Sequence, residues 1–158
     1  MISKELIRVI RDEFKLDWGG IHGAPHWARV RENGIRIGKL VGANLEVVEL
    51  FAFLHDSRRL VDGSDPEHGK RAAEFAHSLR GSLIILSNED FELLSEACQY
   101  HSNGRTEADI TVQTCWDSDR LDLGRVGIKP EAKYLCTDIA KDPAIIKWAY
   151  VRSLIKKG

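Results

Sequence analysis

The stretch Leu50-Phe51-Ala52-Phe53-Leu54-His55-Asp56-Ser57-Arg58-Arg59 constrains this chain more than any other. Consecutive apolar residues from Leu50 to Leu54, with Val47 and Val48 behind them, predict a helix buried on most sides. Such a helix carries a His-Asp pair towards the interior, where an unpaired carboxylate is too costly to keep. Asp56 must therefore be ion-paired, hydrogen-bonded or bound to a metal. The rest of the sequence has to supply its partners.

At 158 residues the chain can bury a sizeable core and is read as one domain spanning 1–158. Apolar residues make up 43% and charged residues 30%, values ordinary for a soluble globular protein. A net charge of −1 offers no bulk attraction to nucleic acid or membrane. Cys98, Cys115 and Cys136 are widely spaced and form no Cys-x-x-Cys pair, so they are expected as small core residues in a reducing compartment. Met1-Ile2-Ser3-Lys4-Glu5 has no apolar signal core, and no stretch approaches the ~18 apolar residues of a membrane span. The expected location is the cytoplasm.

The pattern along the chain is helical throughout. Ser3 can cap a first helix with Leu6, Ile7, Ile10 and Phe14 on one face. A glycine-rich connector holding His22 leads to Pro25, which suits the first turn of a second helix running from about His26 to Val41. That helix would align His26, Val30, Ile37 and Leu40. Asn44 caps the third helix, which delivers His55-Asp56. Asp65-Pro66-Glu67 reads as an acidic cap and helix start, with His68 in the first turn and Ala72, Phe75, Ala76 and Leu79 behind it. Ser87 opens a helix bearing Phe91, Leu94, Ala97, Cys98 and His101. A sixth, from near Asp109 or Thr111, aligns Val112, Cys115, Trp116 and Asp119; its Thr111–Cys115 run has strand-like residues but no partner strand. Two more helices are expected, from about Glu131 and, after Asp142-Pro143, to about Lys156. The fold class is all-α.

His26, His55, Asp56 and Asp119 are thus metal-type residues on otherwise apolar helix faces, with His68 and His101 as additional candidates. Imidazole and carboxylate donors without thiolates suit a divalent ion: Mn, Co, Ni, Fe, Mg or Zn. Such an ion would neutralise the carboxylates and lower the pKa of a coordinated water.

The order His, His-Asp, Asp resembles the HD-domain superfamily of metal-dependent phosphohydrolases across residues 20–127 or so. His22-Gly23-Ala24-Pro25-His26-Trp27-Ala28-Arg29-Val30 is similar to the family's first motif, Leu54-His55-Asp56 to its doublet, and Asp117-Ser118-Asp119-Arg120-Leu121-Asp122 to its last motif. The resemblance implies a single HD-type helical bundle in which His26, His55, Asp56 and Asp119 hold the metal and Asp117 and Asp122 stand behind them. It also implies hydrolysis of a phosphoester or phosphoanhydride in a small phosphorylated molecule, often a nucleotide. A histidine-rich version of the site can hold two metals. His68 sits at a helix start, however, and a one-metal site is the expectation here.

Roles outside the cage are assigned to His68, His101 and Arg120 as catalytic candidates, His68 as proton donor to the leaving oxygen, and to Arg58, Arg59 and Arg120 as phosphate contacts, because a guanidinium donates two parallel hydrogen bonds. Structural roles remain open for each: a first-turn surface residue for His68, a buried hydrogen-bonded histidine for His101, solvated surface for the arginines. His22 and His77 are not expected to be ligands. Trp27 and Trp116 are read as core. Two other functions stay open: a non-catalytic nucleotide- or partner-binding HD module, and a di-iron HD-type oxygenase, which needs a larger ligand set.

Overall fold

The computed structural model describes residues 2–155. Its helices are α1 (Lys4–Glu13), α2 (Ala24–Val41), α3 (Leu45–Leu54), α4 (His68–Leu79), α5 (Asn88–Tyr100), α6 (Ile110–Arg120), α7 (Asp138–Lys141) and α8 (Pro143–Ser153), with 3-10 turns at Leu123–Val126 and Ala132–Tyr134. The fold is all-α; among the described residues the only β-type pairing is an isolated bridge between Arg80 and Ile84.

Local chemistry starts most of the helices where expected. Ser3 accepts a hydrogen bond from the Leu6 amide, Asn44 from Glu46 and Val47, Ser87 from Asp90, and Asp109 from Thr111. Pro25 and Pro143 each sit in a first turn, where the missing N–H costs nothing. α3 packs Val47, Val48, Phe51 and Leu54 out of solvent between α2, α5 and α6. Trp27, Phe91 and Trp116 fill the same core, and a second cluster of Ile37, Leu121, Ile145 and Ile146 joins α2 to α8. At the tightest crossing, a Cβ on Gly34 of α2 would meet Val48 Cγ1 at 2.4 Å, so α3 can lie close only because that position is bare.

Three expectations are corrected. Leu40 leaves the α2 stripe and is 63% exposed, because the buried line drifts round through Asn33, Gly34, Ile37 and Gly38. The run Thr111–Cys115 is helical as expected despite its strand-like residues, because burial of Thr111, Val112, Thr114 and Cys115 outweighs their local preference. Asp65 does not cap α4. Its carboxylate is held by Arg71 and the Leu60 amide, and Glu67 occupies the cap without a side-chain bond. The helix expected from Glu131 is only the short 3-10 turn, since the Asp117 carboxylate binds the amides of Cys136 and Thr137 and draws the chain out extended. The last helix closes at Ser153, and Lys156 lies outside the described residues.

Candidate metal centre

α3 ends at Leu54, and His55, still in helical conformation, becomes its cap. The carbonyls of Phe51 and Ala52 accept from His55 Nδ1 at 3.1 and 3.0 Å. The ring lies flat against Phe51, with centroids 4.8 Å apart. Its Nε2 is thereby aimed at α2. There it meets His26 Nε2 at 3.1 Å and Asp119 Oδ1, from α6, at 3.2 Å. His26 Nε2 lies 3.1 Å from Asp119 Oδ1 and 3.3 Å from Asp56 Oδ2. The four sequence candidates His26, His55, Asp56 and Asp119 therefore converge on one point.

The other oxygen of Asp56 faces a second set. His68 Nε2 and His101 Nε2 are 2.8 Å apart and lie 3.2 and 3.4 Å from Asp56 Oδ1. α4 carries His68 and α5 ends at His101; what brings them together is Gly69. A Cβ there would meet the carbonyl oxygens of Gln99 and Cys98 at 2.7 and 2.8 Å, and backbone cannot move aside cheaply. Gly69→Ala is expected to push α4 off α5 and cost about 1–3 kcal/mol of stability. The same variant should lose metal affinity at the His68–His101 set while keeping it at the His26–His55 set. Thermal melts and metal titration check both.

The proton positions follow from the partners. Backbone carbonyls only accept, so the Nδ1 atoms of His55, His68 and His101 carry hydrogen; His68 bonds the Asp65 carbonyl at 2.5 Å and His101 that of Cys98 at 2.7 Å. His26 Nδ1 donates to Asp122 Oδ2 at 2.7 Å, and Asp122 Oδ1 accepts from Arg29 Nε at 2.7 Å. In the neutral rings all four Nε2 lone pairs thus point at each other and at two buried carboxylates. Lone pairs so arranged repel unless a cation sits among them. Donor atoms ~2.1 Å from a common ion lie roughly 3.0–3.4 Å apart, close to the separations in the first set. The residues fit one ion per set, or two that share Asp56.

Without metal, a proton is the available cation. Burial and the Arg125 charge lower the His26 pKa, but hydrogen bonds to Asp119, Asp122 and Asp56 outweigh them and raise it to about 9. Burial pushes the Asp56 and Asp119 carboxyls up, yet the His55 charge and the histidine hydrogen bonds hold both well below the usual carboxylate range. A metal must displace the His26 proton to bind. Below pH about 9, Mn²⁺ affinity is therefore expected to rise with pH, by roughly tenfold per unit from this one proton. Calorimetry in buffers of different ionisation enthalpy measures the proton released, and an affinity independent of pH would contradict it.

The remaining candidates are placed as follows. Arg59 reaches the cluster, with Nε 3.4 Å from Asp56 Oδ1. Arg58 does not: it pairs with Glu13 and stacks over Phe75. Nor does Arg120, which turns its guanidinium to the Tyr134 carbonyl and Cys136 Sγ. Asp117 faces away from the site, and burial raises its pKa despite the hydrogen bonds from Thr137 and Cys136. His68 and His101 are inside the cluster with both ring nitrogens committed, so neither has one free to deliver a proton.

His22, set aside in the sequence, is different. It is 6% exposed, its Nδ1 lies 2.8 Å from Asp62 Oδ1, and its carbonyl is pinned by the Trp27 indole. Among the described residues its Nε2 makes no hydrogen bond to protein. It feels the charge of Asp56, Arg59 and Arg125, although burial is the main influence and lowers its pKa. The signal was its position four residues before His26; the partner, Asp62, comes from a loop 40 residues away. His77 is exposed on α4, as expected.

No family model matches the chain, and no curated protein matches it significantly. Its fold is similar to a crystal structure described as a predicted HD superfamily hydrolase from an uncultured Thermotogales bacterium, with a TM-score of 0.71 at 26% identity. The match covers 94% of this chain and 84% of the other. With the three motifs in order and meeting in one buried cluster of that fold, this chain belongs to the HD-domain superfamily.

Proposed function

We propose that the protein is a metal-dependent phosphohydrolase with a two-ion centre, acting on a small phosphorylated molecule of the nucleotide class. The observation that carries the reading is Asp56, whose two oxygens each face a separate pair of histidine Nε2 atoms. His26, His55 and Asp119 would hold one ion, His68 and His101 the other, with Asp56 between them. This replaces the one-metal expectation. When bound, such ions neutralise phosphoryl oxygens and make water nucleophilic near neutral pH.

The chain's own groups supply the rest. Asp122 fixes the His26 tautomer and ring orientation. Arg59, beside Asp56, offers positive charge to the phosphoryl group. His22 gives the proton from Nε2 to the leaving oxygen as the P–O bond breaks and its electron pair passes to that oxygen; solvent then restores the proton. Asp62 orients the ring and stabilises the imidazolium, as does the substrate's negative charge. The relative's description as a predicted hydrolase supports the hydrolytic class.

The test is a metal-stripped sample reloaded separately with Mn²⁺, Co²⁺, Ni²⁺, Mg²⁺ and Zn²⁺ and assayed against nucleotides and phosphoesters, with phosphate and pyrophosphate read out separately. Two ions per chain in wild type and one in His101→Ala are expected. A di-iron oxygenase is the second reading, favoured by the full set of four histidines and two aspartates that the cluster assembles. Iron-loaded protein that consumes oxygen but releases no phosphate from the panel would select it. Metal binding with neither activity would select a non-catalytic module.

A further inference from the structure

A cavity of about 460 Å³ lies beside the metal cluster, walled by Gly20 and Ile21 of the connector, Arg29 of α2, Gly124 and Arg125, and Leu154 at the end of α8. Its volume is that of a small-molecule site. Two guanidinium groups line it, and among its lining residues there is no aspartate or glutamate. Both are held from behind. Arg29 Nε is bonded to Asp122 Oδ1, and Arg125 gives Nε to the Ile21 carbonyl and Nη1 to the Asp122 carbonyl, each at 2.9 Å. Among the described residues Arg125 forms no ion pair with a carboxylate, while the carboxylate that Arg29 pairs with is shared with His26. Their orientations are thus fixed before any ligand arrives, and positive charge is left over. The rim is apolar: Ile21, Leu154 and Ile155 are 40%, 50% and 64% exposed.

Anchored guanidinium groups in an acid-free hollow with an apolar rim suit an anion with an apolar body. We propose that this cavity binds a phosphate-bearing molecule of nucleotide size through Arg29 and Arg125, at a site separated from the metal cluster by Asp122. Asp122 touches both sites, since it holds Arg29 on one side and His26 on the other. The proposal goes beyond the hydrolytic reading and does not need it.

The experiment removes the metal, so that the cluster contributes no phosphate affinity of its own. ADP and inorganic pyrophosphate are titrated into metal-free protein in EDTA by calorimetry. Saturable binding of one ADP per chain is expected. Leu154→Glu places a carboxylate at the exposed mouth without touching the cluster, and Arg125→Ala removes one anchor; each should weaken binding at least tenfold. Retained Mn²⁺ binding by Leu154→Glu shows that this variant is folded. No saturable binding by wild type, or binding that survives both substitutions, overturns the proposal. The assay involves no turnover, so it can succeed while the phosphohydrolase reading fails, and the reverse. With Mn²⁺-loaded enzyme, a higher KM of Leu154→Glu for nucleotides but not for p-nitrophenyl phosphate identifies the ligand as the substrate itself. An ADP effect on p-nitrophenyl phosphate turnover that Leu154→Glu abolishes identifies a separate effector.

Discussion

Asp56→Asn is expected to remove both ions and to lower turnover by roughly 10⁴-fold, the scale seen when a group on which a whole constellation depends is lost. The substitution keeps the shape of the side chain and deletes its charge, so the fold should persist. The metal response separates this outcome from simple unfolding. At a hundredfold excess over its dissociation constant, one ion stabilises the folded state by about 2.7 kcal/mol, and two independent ions by about twice that. For a chain of this size, about 5 kcal/mol corresponds to a rise of roughly 10–20 °C in Tm. Wild type should show that rise with Mn²⁺, His101→Ala about half of it, and Asp56→Asn almost none. Equal shifts in wild type and Asp56→Asn would remove Asp56 from the centre.

The second large effect belongs to His22. His22→Ala is expected to lower kcat by ~10²–10⁴ on an alkyl phosphate such as adenosine 5′-monophosphate, whose leaving oxygen needs a proton. On p-nitrophenyl phosphate, whose leaving group departs without one, the loss should fall below about tenfold. Metal content should be unchanged, because neither His22 nor Asp62 belongs to the cluster. Asp62→Asn keeps the ring in place but withdraws the charge that stabilises the imidazolium, and should give a smaller loss with the same leaving-group dependence. His68→Ala provides the contrast: it should lose metal and slow both substrates alike. Equal losses on the two substrates for His22→Ala would reduce His22 to a structural role.

The sequence alone carried the helical architecture and the four residues of the first cluster, His26, His55, Asp56 and Asp119. Caps are local chemistry: Ser3, Asn44, Ser87 and Asp109 each bond an amide two or three residues ahead, and no distant residue is needed to make that choice. His55-Asp56 behind an apolar run was legible for the same reason, since a buried charge demands partners wherever the helix ends up. The faces of α6 were only half legible. Asp119 and Asp122 lie three residues apart and turn to the cluster together, whereas Asp117 and Arg120 point elsewhere on the same stretch. The pattern put Asp119 on the apolar side, but only packing brings Asp122 to the cluster with it and turns Asp117 away.

Tertiary structure decided whatever depended on two remote segments meeting. His68 reaches His101 because Gly69 lets α4 press against the backbone of α5, and that contact divides Asp56 between two histidine pairs. His22 acquires Asp62 across 40 residues, which turns an apparently idle histidine into an oriented one. Arg29 and Arg125 line one cavity because Asp122 and the Ile21 carbonyl hold them there. Such pairings follow from distances between helices, and a one-dimensional pattern fixes the face of a helix without fixing its neighbour.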